Sequence, residues 1–365
     1  MRSRPFLGTA VIVIAAAIMA TALPMSANAD PALNGTVVGF GNNSFGQTII
    51  PPLPPGVTYT AVAAGFSHSL ALRSDGTVVG FGLNTDGQTA VPPLPPGVTY
   101  TAISAGGYHS LLLRSNGTVV AFGDNGELQT VVPALPLGMT YTAVSAGLFY
   151  SLLLRSDGMV IGFGENDFGQ TTIPALGLGV TYTAVAASGT HSLLLRSDGT
   201  VVGFGGDNFI GQTTVQALTS VVTYTAVSAG VFHSLLLRSD GAAVGLGGSG
   251  SGEVDVPALP LGVAYTAVAA GGHSMLLRSD GTVVAFGQAG SGQTTVPVPP
   301  SGVTYTAVAA GGFHSLLLRS APAAAAPVPL LAATGIDTST TLTLGFMLLL
   351  LGAVVAATAV RRRRA

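Results

Sequence analysis

Histidine, the side chain of this chain best suited to acid–base or metal chemistry, recurs at one position of a repeated unit. Each histidine is followed by Ser, and Tyr150 stands at the seventh such position. The six are His68, His109, His191, His233, His273 and His314. Zinc needs its ligands within about 4 Å of one another, whereas equivalent residues on facing sheets lie about 10 Å apart. We therefore expect structural histidines, each bonded to the backbone of a turn, with no metal and no cofactor.

Arginine recurs in the same way, and every basic residue of the chain is Arg. Seven stand in Leu-Arg-Ser triplets, namely Arg73, Arg114, Arg155, Arg196, Arg238, Arg278 and Arg319. An Asp two residues later, as in Arg155 and Asp157, predicts a hairpin in which the Asp is paired with, or close to, its own Arg and locks the turn. The alternative is a ring of Arg that attracts an anionic polymer. Residues 31–320 carry seven Arg against thirteen acidic residues, a net charge of −6, which disfavours nucleic acid and other polyanions.

No catalytic constellation stands out from the sequence. The carboxylate pairs Glu165/Asp167 and Glu253/Asp255 lie in predicted loops. A Ser-His-Asp arrangement could be drawn in almost every repeat, which indicates architecture rather than an active site. With no cysteine, disulfides and thiol nucleophiles are excluded. We expect a protein that is not an enzyme; the alternative is a secreted hydrolase or lyase that uses the loop carboxylates.

The elements that carry these residues repeat with a period of about 41 residues, measured between successive Leu-Arg-Ser triplets. One unit predicts strands at Tyr100–Ala105, His109–Arg114 and Thr118–Phe122, with a weaker fourth at Gln129–Val132. Gly, Asn-Gly and Asp-Gly pairs separate them, as in hairpins. Four antiparallel strands per unit make one blade of a β-propeller.

The ends of the repeat region indicate a closed ring. The chain enters at residue 34 with the third strand of a unit and leaves at His314–Arg319 with the second. The two partial units complement each other and hide the strand edges that an open array would expose. We predict an all-β fold over residues 34–320, a seven-bladed β-propeller in which N- and C-terminal strands share one blade.

Segments such as Val62–Leu72 and Ser74–Val78, followed by Asn84–Gln88, resemble the RCC1 repeat. The resemblance covers residues 34–320 and implies a seven-bladed propeller. Gly169–Pro174 is similar to a secreted bacterial branch that includes a β-lactamase inhibitor protein, which implies a partner held by aromatic and acidic loop residues of one face. Phe stands where the family usually has Trp, as at Phe40. The insertion behind the family's nucleotide exchange is not visible, so that activity is not expected.

Aromatic residues concentrate in loops that an antiparallel meander brings to one face. Loops before the histidine position hold Phe66, Tyr108, Phe149, Phe232 and Phe313, and the Asn/Asp loops hold Phe45, Phe168 and Phe209. These loops vary between repeats while the scaffold does not, which favours a binding face for a protein or another ligand on a monomeric frame. The alternatives are that the rings pack into the channel or between blades, and that the protein is a passive structural or adhesion component.

Both ends of the chain have the composition of sorting signals. Residues 1–29 are typical of a secretory signal peptide, the alternative being an uncleaved anchor. Residues 321–330 form an Ala/Pro spacer, and 331–335 resemble a cell-wall sorting signal of the LPxTG/LAxTG type.

Leu331, Thr334 and Gly335 are the sortase residues in that resemblance, which implies cleavage after Thr334 and its transfer to peptidoglycan. Residues 341–360 predict a transmembrane helix in the precursor, and 361–365 a cytoplasmic Arg tail. We expect a secreted protein of Gram-positive type, anchored to the cell wall or, if it is not sorted, to the membrane.

Overall fold

The computed structural model describes residues 13–14, 33–206, 208–219 and 221–320. Throughout these residues the regular structure is β-strand. The strands are β1 (Val13–Ile14), β2 (Val37–Gly41), β3 (Tyr59–Ala64), β4 (His68–Arg73), β5 (Val78–Gly82), β6 (Tyr100–Ala105), β7 (His109–Arg114), β8 (Val119–Gly123), β9 (Tyr141–Ala146), β10 (Tyr150–Arg155), β11 (Val160–Gly164), β12 (Tyr182–Ala187), β13 (His191–Arg196), β14 (Val201–Gly205), β15 (Tyr224–Ala229), β16 (His233–Arg238), β17 (Ala243–Gly247), β18 (Tyr265–Ala270), β19 (His273–Arg278), β20 (Val283–Gly287), β21 (Thr304–Ala310) and β22 (His314–Ser320).

The strands form seven antiparallel sheets in the described part of the chain. Sheets 1 to 6 are consecutive meanders: β3-β4-β5, β6-β7-β8, β9-β10-β11, β12-β13-β14, β15-β16-β17 and β18-β19-β20. Sheet 7 has the order β2-β22-β21, so it combines the first long strand with the last two. The first strands of neighbouring sheets contact each other, as β3 contacts β6, which places them innermost.

The hydrophobic core lies between neighbouring sheets. Leu70 and Leu72 of sheet 1 pack against Tyr100, Ile103 and Leu112 of sheet 2, and equivalent clusters join the other sheets. Middle strands such as β4 are buried at five consecutive residues, because both of their faces are covered. This explains why the sequences of the middle strands are mostly continuous apolar runs and do not alternate between apolar and polar residues.

The predicted fourth strand is wrong. Residues 129–132 form a turn followed by irregular chain instead. The segment lies over the face of the third strand: a Cβ added to Gly80 would lie 2.6 Å from the carbonyl oxygen of Thr89. Turn hydrogen bonds, such as that from Ala90 N to Gly87 O, engage its backbone, so it does not extend the β-ladder. Each sheet therefore has three strands in its meander rather than four.

The two ends of the repeat region meet in sheet 7. Val37 to Gly41 pair in register with Leu318 to His314, which is the complementation predicted from the partial repeats. The short strand β1 pairs with Ala105 and Ser104 of β6. It also contacts the innermost strands of the other six sheets, which places Val13–Ile14 near their common centre.

The predicted sorting segments lie outside the described residues, apart from Val13–Ile14 within the predicted signal peptide. This applies to the spacer 321–330, the motif 331–335, the predicted span 341–360 and the tail 361–365. The part of the chain that the structure describes contains no helix long and apolar enough to cross a membrane.

Candidate functional site: the upper face of the sheets

Each of the seven middle strands runs from the histidine position, or from Tyr150, to the arginine position, so each sheet has two distinct ends. We call the histidine end the upper face. It comprises the turns before the middle strand, such as 65–67, and the loops after the third strand, such as 83–88. The arginine end, with hairpins such as 74–77 and the Pro-rich links such as 92–97, is the lower face.

The histidines form a buried layer just beneath the upper face. Each histidine Nε2 is hydrogen-bonded to the serine Oγ of the next sheet: His68 to Ser110 at 3.0 Å, His109 to Ser151 at 2.9 Å, His191 to Ser234 at 2.9 Å, His233 to Ser274 at 2.8 Å, His273 to Ser315 at 2.6 Å and His314 to Ser69 at 2.8 Å. In sheet 3 the Tyr150 hydroxyl makes the equivalent contact with Ser192 at 3.0 Å. The expected partner, a turn backbone, is therefore replaced by a side chain of the neighbouring sheet.

The same serines set the protonation of the histidines. Ser110 Oγ donates to Gln88 O at 2.7 Å, and its equivalents do the same. Because this uses the serine proton, Nε2 must donate to Ser Oγ, so Nε2 of each imidazole carries a proton. Burial, with the charge of His109, lowers the pKa of His68 to about 3. A neutral ring is what this buried link requires.

Glycines before the layer make room for the imidazoles. A Cβ on Gly65 would lie 2.6 Å from His68 Cε1 and 2.5 Å from the carbonyl oxygen of Gly106. Phe66 N donates to that same carbonyl at 3.2 Å, so the turns of sheets 1 and 2 are joined by backbone. The last of these backbone links runs from Gly312 N to Gly65 O at 3.1 Å.

The arginines lie at the lower ends of the middle strands and are only partly buried. The predicted ion pair is present at Arg155–Asp157, with 2.5 Å between Nη2 and Oδ2, and at Arg238–Asp240. In the hairpin of sheet 1, Asp75 accepts hydrogen bonds from the backbone N and the hydroxyl of Thr77 instead. Asp198 and Asp280 use Thr200 and Thr282 in the same way.

The residue after the hairpin glycine decides between these two arrangements. Met159 and Ala242 occupy that place in the hairpins with ion pairs, and neither has a hydroxyl to donate. Where Thr is present, the Asp carboxylate accepts a hydrogen bond from its hydroxyl. An Arg–Asp ion pair is thus present in two hairpins, whereas the carboxylates of Asp75, Asp198 and Asp280 are bonded to Thr.

Four of the predicted aromatic residues meet on the upper face. Phe66 contacts Phe313, with 5.6 Å between ring centroids, and Tyr108 at 6.1 Å; Tyr108 stacks on Phe149 at 5.8 Å with 13° between the ring planes. All four are half-buried. They form one continuous strip across sheets 7, 1, 2 and 3, which we call the aromatic arc. The rings thus pack partly on one another and present their remaining surface to solvent.

Among the described residues, no ring contact joins Phe232, Phe45 or Phe168 to the arc, and Phe209 lies in the loop after β14. Their exposed fractions are 53% for Phe232, 53% for Phe45, 42% for Phe168 and 89% for Phe209. Phe232 lies in sheet 5, where no neighbouring turn places an aromatic ring beside it: Thr190 and Gly272 occupy the corresponding places in sheets 4 and 6. The upper face is therefore aromatic mainly on one side.

Buried glutamines hold the outer loops of this face. Gln47 Oε1 accepts from Phe45 N at 2.9 Å, and Gln170 Oε1 accepts from Phe168 N at 2.9 Å. Glu253 takes the glutamine place in sheet 5, where its carboxylate accepts from Ser251 N at 2.9 Å. The carboxylate of Asp255 accepts from the hydroxyl of Ser249. This pair is engaged in turn structure rather than aimed at a common point.

Charge is segregated between the two faces, which the sequence reasoning missed. The seven arginines and five hairpin Asp residues lie at the lower face. The described acidic residues of the upper face are Asp86, Asp124, Glu127, Glu165, Asp167, Glu253 and Asp255, and no basic side chain accompanies them in the described ranges. This segregation could have been predicted from the order of Arg and acidic residues along each repeat. Alternate turns of a meander lie at opposite ends of the strands, so charges in alternate turns lie on opposite faces. No group of three or more His, Asp or Glu among the described residues could hold a metal ion.

Comparison with protein families identifies the repeat. The model of the regulator of chromosome condensation (RCC1) repeat matches residues 59–88, 100–129 and 141–170. A comparison with curated protein sequences found no match.

Solved structures of similar fold include yeast RCC1 (Prp20) and several other proteins. Prp20p from Saccharomyces cerevisiae, described in terms of its binding to Gsp1p and histones, is 18% identical, with a TM-score of 0.67 over 79% of this chain and 92% of that one. Human WBSCR16 is 19% identical, with a TM-score of 0.63 over 86% and 99%. The ectodomain of the Arabidopsis thaliana receptor kinase ACR4 is 19% identical, with a TM-score of 0.54 over 76% and 96%. At these identities the likeness concerns the fold alone. Three repeats of this chain thus match the RCC1 repeat, and its seven antiparallel sheets have the fold of a β-propeller.

Proposed function

We propose that this protein is a non-catalytic binding propeller, displayed at the cell surface, that captures a protein or another ligand through the upper face. The observation that carries the proposal is the aromatic arc. Partly exposed aromatic rings in contact with one another offer a large, rigid apolar surface at little cost in side-chain entropy. The arc rests on the buried His–Ser layer, which holds its turns in place.

A closed seven-bladed ring is part of this proposal. Three contacts between sheets 7 and 1 support it: the hydrogen bond between His314 and Ser69, the backbone bond from Gly312 to Gly65, and the packing of Ala309 and Leu316 against Val62 and Ala71. They repeat the contacts made between the other neighbouring sheets. Closure would leave no sheet edge open between the first and last repeats.

The enzyme alternative has less support. Glu253 and Asp255 accept hydrogen bonds within their own loop, and Asp167 is exposed. Replacing Glu165, Asp167, Glu253 and Asp255 by their amides tests it, because an enzyme that uses them would lose turnover. The passive-coat alternative predicts that no ligand is captured at all.

Surface display follows from the predicted sorting signals, read together with the chain direction. Strand β22 runs from His314 at the upper face to Ser320 at the lower face, so the chain leaves the propeller on the side opposite the arc. The proposed attachment is through Thr334, joined to peptidoglycan by a sortase. The same proposal includes the resemblance of Gly169–Pro174 to a secreted bacterial branch of the family. In cells with a matching sortase, Thr334→Ala should release the protein from covalent linkage to the wall, and persistent linkage would contradict the anchoring.

The binding role is tested with the aromatic arc. We expect a variant with Phe66, Tyr108, Phe149 and Phe313 replaced by Ala to lose the ligands that the full chain retains from the surrounding medium. Phe232→Ala is the matched control, since it removes an exposed aromatic ring of the same face outside the arc. Equal capture by the arc variant and the unmodified protein, with both folded by circular dichroism, would overturn the assignment of the face.

A further inference from the structure

One carboxylate of the upper face lacks the partner that its equivalents have. The first residue after the third strand is Asn42 in sheet 7 and Asp124 in sheet 2. Each accepts a hydrogen bond at 3.0 Å from the Nε2 of a buried glutamine, Gln47 or Gln129. Glu165 holds this place in sheet 3. Within the described residues its carboxylate accepts no hydrogen bond.

The side-chain nitrogen of the glutamine beneath Glu165 is also without a partner. Gln170 is fully buried, and its Nε2 has no hydrogen-bond partner. Glu165 is one methylene longer than Asp124, and its carboxylate is not bonded to that amide. Gln88 and Gln293 also lack a partner for Nε2, but the residues above them are Leu83 and Gln288, so in the described chain only sheet 3 combines this unpartnered nitrogen with a half-buried carboxylate that accepts no hydrogen bond.

Glu165 is joined to the aromatic arc through the backbone. Glu165 N donates to the carbonyl oxygen of Phe149 at 2.9 Å, and the Phe149 ring stacks on Tyr108. Burial, followed by the charges of Asp167 and Glu127, raises the pKa of Glu165. Burial, followed by Asp86 and Asp124, raises the pKa of Tyr108. Five carboxylates thus surround this end of the arc.

The arginines that the structure describes are too far away to relieve this repulsion. All seven arginines of the described residues lie at the opposite, lower ends of the strands, and the upper-face histidines are held neutral. A free metal ion fits poorly, because hard cations take six or more oxygen ligands and no such group of carboxylates converges in the described part of the chain. An anionic ligand would add to the repulsion.

On the basis of the proposed function, we infer that the ligand of the arc is cationic, and that a Lys or Arg side chain of a protein partner binds Glu165 while lying against the rings of Tyr108 and Phe149. An ammonium or guanidinium group would give Glu165 the donor that it lacks. Aromatic faces attract such cations, and the surrounding Asp and Glu residues would speed association at low salt.

The test is a calorimetric titration of the full chain with an oligo-lysine peptide, and with an oligo-glutamate peptide of equal length as the reversed charge. We expect oligo-lysine to bind and to weaken as salt is raised, and oligo-glutamate not to bind. Glu165→Gln should weaken oligo-lysine binding about fivefold to tenfold, the loss expected for one interfacial charge pair. Tyr108→Leu, which keeps apolar bulk but removes the ring, should weaken it by a smaller factor.

Two variants with the same change of charge serve as controls. Asp255→Asn lies on the upper face away from the arc, and Asp198→Asn lies in a lower hairpin; each should change oligo-lysine affinity less than about twofold. Equal weakening by all three variants would show attraction by net charge alone and overturn the site. An unchanged affinity in Glu165→Gln would overturn it too.

The outcomes separate this inference from the proposed function. If the arc variants lose their natural ligand while Glu165→Gln leaves oligo-lysine binding intact, the binding face stands and the cationic partner is wrong. If the arc variants keep their natural ligand, the proposed function itself fails, whatever the peptide titration shows.

Discussion

The buried histidine layer and the exposed turn just above it are adjacent in sequence, yet only one of them repeats. His109 is fully buried and bonded to Ser151, and its place is His in six sheets. The residue before it is Ser67, Tyr108, Phe149, Thr190, Phe232, Gly272 or Phe313, depending on the sheet. A buried polar group without a partner costs about 1–3 kcal/mol, whereas a turn residue at the surface can bond to water. The buried scaffold and the proposed binding surface are therefore only one or two residues apart in the sequence.

In sheet 3 the histidine of the buried layer is replaced by Tyr150, and the charge above it offers a reason. Burial lowers the pKa of His233 only to about 4, because the charge of Glu253 acts in the opposite direction. A histidine in place of Tyr150 would similarly be close to Glu165, whose charge acts on the Tyr150 hydroxyl. Tyrosine keeps the link to Ser192 and has no basic nitrogen to protonate. The exception in the buried layer therefore coincides with an unpaired carboxylate above it.

The largest expected effect is acid unfolding driven by the layer. In the unfolded chain the histidines have a pKa near 6.5, whereas burial lowers it to about 3 or 4 in the fold. Below pH 6.5 the unfolded chain binds more protons, so stability is complete above that pH and falls as the pH drops toward 4. Each histidine contributes about 1.4 kcal/mol per pH unit in this window.

Urea unfolding between pH 7 and pH 5 measures this slope. Ordinary carboxylates titrate mainly below about pH 4.5, so the window reports chiefly on the six histidines. A slope of fewer than about two protons would contradict a neutral buried layer. Surface variants such as Phe232→Ala should leave the slope unchanged.

A smaller effect is expected when a single link is cut. Ser110→Ala removes the acceptor of His68 Nε2 and the donor to Gln88 O, and it leaves both groups buried. We expect a loss of about 2–4 kcal/mol in the free energy of unfolding, measured with urea at pH 7. Ser115→Ala, in an exposed hairpin, is the control and should cost less than about 1 kcal/mol. Similar losses in both variants would mean that the buried layer is no more important than a surface turn.

The smallest effect is expected at the lower hairpins. Thr77→Met gives the first hairpin the residue found at Met159, and we expect Asp75 to leave the lost hydroxyl and pair with Arg73. Because such pairs are close to solvent, stability should change by less than about 1 kcal/mol. A crystal structure of the variant shows the new contact. If Asp75 keeps away from Arg73, the residue after the glycine does not decide the arrangement.

Much of the fold could be predicted because its signals are local. Three of the four strands proposed for a unit match β6, β7 and β8 to within one residue, since burial pattern and Gly turns lie within the segment itself. The fourth was wrong because 129–132 packs across the face of a strand, which its β-branched residues do not reveal. Gln129 holds that turn through side-chain hydrogen bonds to Glu127 N and Asp124. Strand propensity takes no account of such bonds.

The site was less predictable because its contacts join separate repeats. The partner of His68 is Ser110, which is 42 residues away, one more than the usual repeat period. The Ser that follows every His is the residue from which this hydrogen bond could have been predicted. That prediction requires knowing that neighbouring sheets lie side by side. Among eight candidate aromatic residues, the sequence offered no reason to join Phe66 to Phe313 across 247 positions.

The repeat by itself determined the all-β class, the number of units, the strands and the opposite placement of His and Arg, because each depends on residues within one 41-residue unit. Only the tertiary structure decided which rings meet, which hairpins hold ion pairs and why Glu165 lacks a donor. These features depend on distances between sheets and on the length of single side chains, and neither is encoded in the period.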